Sequence, residues 1–371
     1  MRVYLLIFLI ACSVTYLTTP MVRHFALATK ALTPVRDRDV HTVPIPRFGG
    51  VAIFAGIFVS FIVASHIPFL EEVFKTSEAW AILFGSGAVC LLGVIDDIWE
   101  LDWVTKLAGQ VLIAGIMAWM GIQITSFPIY GLTIGSSRLS LIATIFLIIL
   151  AMNAVNFVDG LDGLASGMIA IGSLAFFIYS YVLTRVVGGH SYASLASVVI
   201  IALLGVCVGF LPHNFNPASI FMGDCGSMIL GLVTASATIL VTGQINPAVM
   251  LPRQTFAAFI PILLPLTVML IPLIDMTMAV VRRIKAGKSP FHADRLHIHH
   301  RLLSLGYSHR HVVLVMYIWC IVVSFGSCSL LFLPGQIWIG VWLPMIVLAL
   351  VYTLFSAPLL RNKILSKFNK K

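Results

Sequence analysis

Residues 139–164 read LSLIATIFLIILAMNAVNFVDGLDGL. The first part carries no charge and is long enough for one crossing of a bilayer core, which takes about 20 apolar residues. It then passes, without a linker, into Asn153, Asn156, Asp159 and Asp162 at intervals of three, with Gly160 and Gly163 among them. Ionisable groups flush against an apolar span are expensive, and they mark function more often than packing. This stretch therefore places a helix in lipid and polar chemistry at its end.

The rest of the chain repeats the pattern. Its 371 residues are 60% hydrophobic and 10% charged, with mean hydropathy +1.03; a soluble domain carries roughly 25% charged residues. Apolar runs at 3–19, 48–65, 79–95, 104–120, 139–157, 164–184, 194–212, 226–243, 256–281, 312–332 and 337–358 predict an all-α polytopic integral membrane protein with about eleven transmembrane helices. No soluble domain is left over. Residues 1–371 read as a single membrane domain, with polar loops at about 20–47, 96–106, 158–163, 213–225 and 282–311. The first run continues to about Leu17 and reads as a first helix, not a cleaved leader.

Most of the 23 Lys and Arg fall in one alternate set of loops and in the C-terminal tail. By the positive-inside rule that set is cytoplasmic, which puts the N-terminus outside and the C-terminus inside. The net charge of +9 does not point to nucleic acid, because the basic residues lie in short gaps between apolar runs and form no soluble face. The six cysteines include no C-x-x-C pair and read as small buried hydrophobes.

The aspartates fall on the same side as the basic loops. Asp37, Asp39 and Asp294 suit solvated loops; Asp96, Asp97, Asp159, Asp162 and Asp224 abut apolar runs. Clustered carboxylates at one membrane face suggest a divalent cation, and all-oxygen donors favour Mg²⁺ or Mn²⁺. In Asp96-Asp97 one carboxylate can hold metal while the other acts as a base. Asn153, Asn156, Asp159 and Asp162 combine neutral and charged oxygen donors, and the glycines allow the backbone to gather them. In Phe221-Met222-Gly223-Asp224-Cys225-Gly226-Ser227, Asp224 is either a helix cap or part of a phosphate-binding helix N-terminus. Phe221 could stack on a nucleobase. His297, His299, His300 and Arg301 suit a diphosphate and sugar hydroxyls. Zinc is the rival there, but no cysteine joins the set. Lys106 and Arg47 each read as a phosphate ligand or an interfacial anchor.

Taken together these motifs resemble the polyprenyl-phosphate N-acetylhexosamine-1-phosphate transferases (glycosyltransferase family 4), from His41 to Arg301 and in the family's order. The DD pair, N-x-x-N-x-x-D-G-L-D-G-L, F-M-G-D-x-G-S and H-x-H-H carry the resemblance. It implies a Mg²⁺-dependent enzyme at the cytoplasmic side of a bacterial plasma membrane, catalysing the first membrane step of a cell-surface polysaccharide. Its partners would be a UDP-N-acetylhexosamine, polyprenyl phosphate and membrane lipid, and a homodimer is left open. The resemblance further implies Asp224 as metal ligand with Asn156 or Asp97, and catalytic roles among Asp96, Asp97, Asp159 and Asp162. The nucleotide-sugar would meet Lys106, Asn153, Asp162, Phe221, Gly223, His297, His299, His300 and Arg301, and the lipid phosphate Arg47 and His41. The His297-Ile298-His299-His300 pattern is similar to the GlcNAc-1-phosphate branch, with another UDP-HexNAc or UDP-MurNAc-pentapeptide as alternative substrate. A CDP-alcohol phosphotransferase fits less well, since Ser166 stands where its D-x-x-D-G-x-x-A motif has alanine and no arginine follows. A cation-coupled transporter would place its acids at mid-membrane rather than at one face.

Overall fold

The computed structural model describes residues 1–29, 45–124, 137–187, 193–243, 270–285, 287, 302–330 and 332–357. The described residues form helices: α1 Arg2–Ala28, α2 Gly49–Ser65, α3 Glu71–Phe74, α4 Ser77–Trp99, α5 Trp103–Trp119, α6 Ser137–Val158, α7 Leu164–Val187, α8 Leu195–Asn214, α9 Gly223–Gly243, α10 Leu270–Lys285, α11 His309–Ser329 and α12 Gly335–Ser356. Eight of these are long and apolar enough to cross a membrane, and α2 and α5 are shorter apolar helices. The chain is an all-α, multi-pass membrane protein. Of the eleven expected runs, only 256–281 is largely outside the described residues.

Several boundaries differ from the sequence expectation; α4 runs to Trp99, so Asp96 and Asp97 lie within it and not in the expected 96–106 loop. Helix α1 runs on through Pro20 to Ala28, so part of the expected 20–47 loop is helical. Proline is tolerated in a membrane helix because neighbouring groups satisfy the freed carbonyl. Helix α9 begins at Gly223, three residues before the expected 226, so Asp224 lies in its first turn.

Helix α9 is the axis of the bundle. It packs against α2, α4, α6 and α8, and 94% of its membrane window is buried. Its Thr234, Ser236, Thr238 and Thr242 hydroxyls each donate to the carbonyl four residues earlier, so none of these four is orphaned in the apolar interior. Helix α8 stands beside it between α1 and α7. The α1–α8 contact is close because Gly209 has no side chain; a Cβ there would overlap the backbone of Cys12. Small residues that let backbones approach are the main source of helix association where lipid removes the hydrophobic driving force. At the periphery, α12 has 6% of its window buried.

Gly209→Leu should therefore loosen the α1–α8 pair, whereas a Cβ at Gly340 on α12 meets no described atom within 4 Å and Gly340→Leu should be accommodated. Thermal unfolding in detergent should show a clear loss for the first, on the scale of about 1–3 kcal/mol expected for overpacking, and almost none for the second.

Candidate active site

Four helix ends meet at one end of the bundle. Asp96 and Asp97 lie near the C-terminus of α4, Lys106 in the first turns of α5, Asn156 at the end of α6, and Asp224 in the first turn of α9. Two local devices bring them together. Helix α2 starts without a capping side chain, so its first N–H groups need other acceptors. Gly49 and Gly50 donate to the carbonyls of Phe221 and Met222, each at 2.9 Å, and the Phe221 N–H donates to Pro46 at 2.9 Å. This short pairing holds the entry to α9 against the entry to α2, with Phe48 in a left-handed conformation, φ 89°. The second device is steric. A Cβ on Gly50 or Gly93 would overlap the backbone around Cys225, so α9's first turn fits between α2 and α4 only because both are glycine.

The side chains then form a connected set. The Lys106 ammonium lies 2.8 Å from Asp96 Oδ2 and also bonds Asp224 Oδ2. The other Asp96 oxygen accepts the Leu101 N–H at 2.9 Å, which fastens the turn into α5. Asn156 Nδ2 donates to Asp224 Oδ1 at 2.7 Å and to Ser227 Oγ at 2.9 Å. The Asp224 N–H donates to Asp97 Oδ1 at 3.3 Å, and Arg47 stands 3.8 Å from the same oxygen. Gly223, at φ 69°, has no Cβ, which leaves room for Asp97 Oδ2 against it. The side chain of Asp97 is 2% exposed, and among the described residues its Oδ2 has no hydrogen-bond donor. Such an atom is costly to bury unless something positive meets it.

Asp159 follows α6 in the short loop 159–163 and is half-buried. Desolvation, then the like charges of Asp224, Asp97 and Asp162, push its carboxyl up to about 8, with Arg47 opposing. The remaining expected site residues fall elsewhere. Asp162 is 2% exposed and its Oδ2 accepts from Asn216 Nδ2 at 2.9 Å and from the Ala218 N–H at 3.1 Å, so it braces the loop leading to α9. Asn153 points to Gln110 at 2.8 Å, one turn inside the membrane from Asn156. Phe221 is half-buried beside the backbone pairing. Asp102 caps α5: its carboxylate accepts from the Val104 and Thr105 N–H groups, each at 3.1 Å, and bonding to Thr105 holds its pKa below the usual value. His41, His297, His299, His300 and Arg301 lie outside the described residues.

Gln110 and Asn216 gave no motif signal and yet bond two of the expected residues, Asn153 and Asp162. The one hint for Gln110 is a lone amide in an apolar run, one turn after Lys106. Among the described residues, no three His, Cys, Asp or Glu side chains stand in ligating geometry. What the arrangement does offer is a buried, undonated oxygen on Asp97 beside the one-third exposed carboxylate of Asp224 and the amide of Asn156. The two carboxylates are hard oxygen donors and suit a small divalent cation, and the Asn156 amide, whose nitrogen turns to Asp224, carries a further oxygen of the same kind.

A family model described as glycosyl transferase family 4 matches residues 79–242. Over 367 residues the chain is 42% identical to the decaprenyl-phosphate N-acetylglucosaminephosphotransferase of Mycobacterium tuberculosis (strain ATCC 25618 / H37Rv), covering 98% of this chain and 90% of that protein. The chain belongs to glycosyl transferase family 4. The family match contains Asp96, Asp97, Lys106, Asn156, Asp159 and Asp224, the residues that the fold gathers. Two more distant relatives extend the similarity. The undecaprenyl-phosphate alpha-N-acetylglucosaminyl 1-phosphate transferase of Haemophilus influenzae (strain ATCC 51907 / DSM 11121 / KW20 / Rd) is 32% identical over 286 residues, covering 75% of this chain and 73% of that protein. The phospho-N-acetylmuramoyl-pentapeptide-transferase of Desulforudis audaxviator (strain MP104C) is 28% identical over 272 residues, 64% of this chain and 77% of that protein.

The raised carboxyl of Asp159 makes a pH prediction. The folded chain keeps a proton up to about 8 that the unfolded chain releases near its ordinary value of 3.8. The folded state therefore binds more protons between these values, and stability falls as pH rises through that window. Asp159→Asn should flatten this part of the profile, read as melting temperature against pH in detergent with a chelator present.

Proposed function

We propose that the chain transfers GlcNAc-1-phosphate from UDP-GlcNAc to a polyprenyl phosphate, releasing UMP and leaving polyprenyl-diphosphate-GlcNAc in the membrane. The observation that carries this reading is the joining of Asp97 and Asp224 beside Lys106 and Arg47 at one end of the bundle. It is supported by 42% identity, over nearly the whole chain, to a relative named for that activity with decaprenyl phosphate. The weaker match to the N-acetylmuramoyl-pentapeptide enzyme favours GlcNAc over the larger substrate.

In this reading an oxygen of the lipid phosphate attacks the β-phosphorus of UDP-GlcNAc. The bond from that phosphorus to the α–β bridging oxygen breaks, and the electron pair leaves with UMP. Charge spreads over the phosphoryl oxygens in such a transfer, so the protein's task is positioning and neutralisation. Lys106 is placed for this, since its ammonium already lies between two carboxylates and can turn to a diphosphate. Arg47, at the start of α2 beside Asp97, is placed to hold the phosphate of a lipid arriving from the bilayer. Asp96 is tied at both oxygens, to Leu101 and Lys106, and so orients Lys106. Asp97 keeps the oxygen with no donor. We assign Mg²⁺, with Mn²⁺ as the alternative, to Asp97, Asp224 and Asn156, where it would neutralise diphosphate oxygens. The His297–Arg301 segment is assigned to the nucleotide-sugar on its chemistry. The site faces the cytoplasm of a bacterial cell in this proposal, because the donor is a water-soluble nucleotide and the basic loops lie on that side.

Asp224→Asn should lower turnover by about 100-fold or more, as loss of a charged group at the reacting phosphates does. Asp102→Ala, which removes only the cap of α5, should keep most activity while costing about 1 kcal/mol of stability. Radiolabelled UDP-GlcNAc incorporation into lipid, with the product identified by mass and UMP by chromatography, tests both. Chelation should abolish the signal in the wild type. Equal turnover in the two variants, or a lipid product formed only with a cytidine donor, would reject the proposal.

A further inference from the structure

A second polar layer lies one helical turn deeper than Lys106, Asn156 and Asp224. Gln110 follows Lys106 by four positions on α5, Met228 follows Asp224 by four on α9, and Asn153 precedes Asn156 by three on α6. Each pair therefore shares a helix face. Gln110 is 1% exposed. Its Oε1 accepts from Asn153 Nδ2 at 2.8 Å, and its Nε2 points at the Met228 sulfur at 3.1 Å. One amide thus ties α5 to α9, which carries Asp224, and to α6, whose Asn156 is itself bonded to Asp224.

Helix α5 needs such a tie. Its inward face buries Gln110, Ile113, Ala114, Met117 and Ala118, whereas Val104, Val111, Leu112 and Trp119 are exposed on the outside. Lipid is as apolar as those side chains, so apolar contact discriminates poorly between rotations of a peripheral helix. A buried amide discriminates strongly, because a rotation that breaks its bonds leaves polar groups unpaired in an apolar interior.

We propose that Gln110 is a positioning residue, setting the rotation of α5 so that the Lys106 ammonium meets Asp96 and Asp224. The inference rests on the proposed function only in taking Lys106 to act on the reacting phosphates. Gln110 itself touches no substrate.

The test uses purified full-length protein, with turnover and KM for UDP-GlcNAc measured beside the melting temperature. Gln110→Leu should lower kcat by about 10- to 100-fold, the scale of a group misplaced by about 1 Å, with little change in KM. The double variant Gln110→Leu/Asn153→Leu removes both partners, leaves no orphaned amide and should regain the wild-type melting temperature. Its kcat should stay low. Recovery of kcat along with stability would overturn the proposal, since Gln110 would then only satisfy Asn153. A cycle with Lys106→Gln gives a second reading. If Gln110 acts through Lys106, adding Gln110→Leu to that background should cost under about twofold, and a repeat of the full loss would overturn the proposal. Should Lys106→Gln keep wild-type turnover, the reading of the site itself falls, whatever Gln110 does. Should Lys106→Gln be inactive, the comparison with Asn153 decides alone.

Discussion

Carboxylates crowded at the end of an apolar bundle must be met by positive charge or by protons, and the architecture follows from that constraint. Asp96, Asp97 and Asp224 face Lys106 and Arg47, and these five residues come from three helices and the segment that precedes α2. Asp159 lies near enough to feel Asp224 and Asp97, and it answers by holding its proton. None of these groups could be placed so closely without the glycine contacts that admit the first turn of α9 between α2 and α4. The central helix is thus fixed by backbone packing, and the charge cluster is fixed to the central helix.

Within the cluster the two adjacent aspartates of α4 have separate tasks. Asp96 spends its oxygens on the turn to α5 and on Lys106, so it shapes the site. Asp97 points into the gap beside Gly223 with one oxygen undonated. A similar division separates Asn156, which holds Asp224, from Asp162, which holds the loop that leads into α9. That loop is fastened from other directions as well, by Arg23 bonded to the Ser219 carbonyl and Arg310 to Asn216. The residues that present chemistry are backed by neighbours whose bonds keep them in place.

The fold was legible in the sequence because hydrophobic length is a strong signal in lipid: the apolar runs that fall within the described residues are helices, and apart from the extension of α1 to Ala28 their ends lie near the expected positions. The meeting of the DD pair, Asn156 and Asp224 was expected from the sequence because polar and charged groups beside an apolar run demand an explanation, and the structure does bring these side chains together. Other features were not. The pairing of Pro46, Gly49 and Gly50 with Phe221 and Met222 joins segments far apart in the chain through backbone atoms, which leave no mark on residue type. Asp162 looked like its neighbours in the repeat, and only the tertiary path of the loop turns it toward Asn216. Gln110 is uncharged and solitary, and its meaning depends on which helices flank α5.

The central claim is that Asp97 and Asp224 together form a cation site. Anomalous scattering from crystals of the protein grown with Mn²⁺ and UDP-GlcNAc tests it most directly. The account predicts a peak at coordination distance, about 2 Å, from carboxylate oxygens of Asp97 and Asp224, close to the donor's phosphates. A peak held instead by His297, His299 and His300, with none beside Asp97, would contradict it.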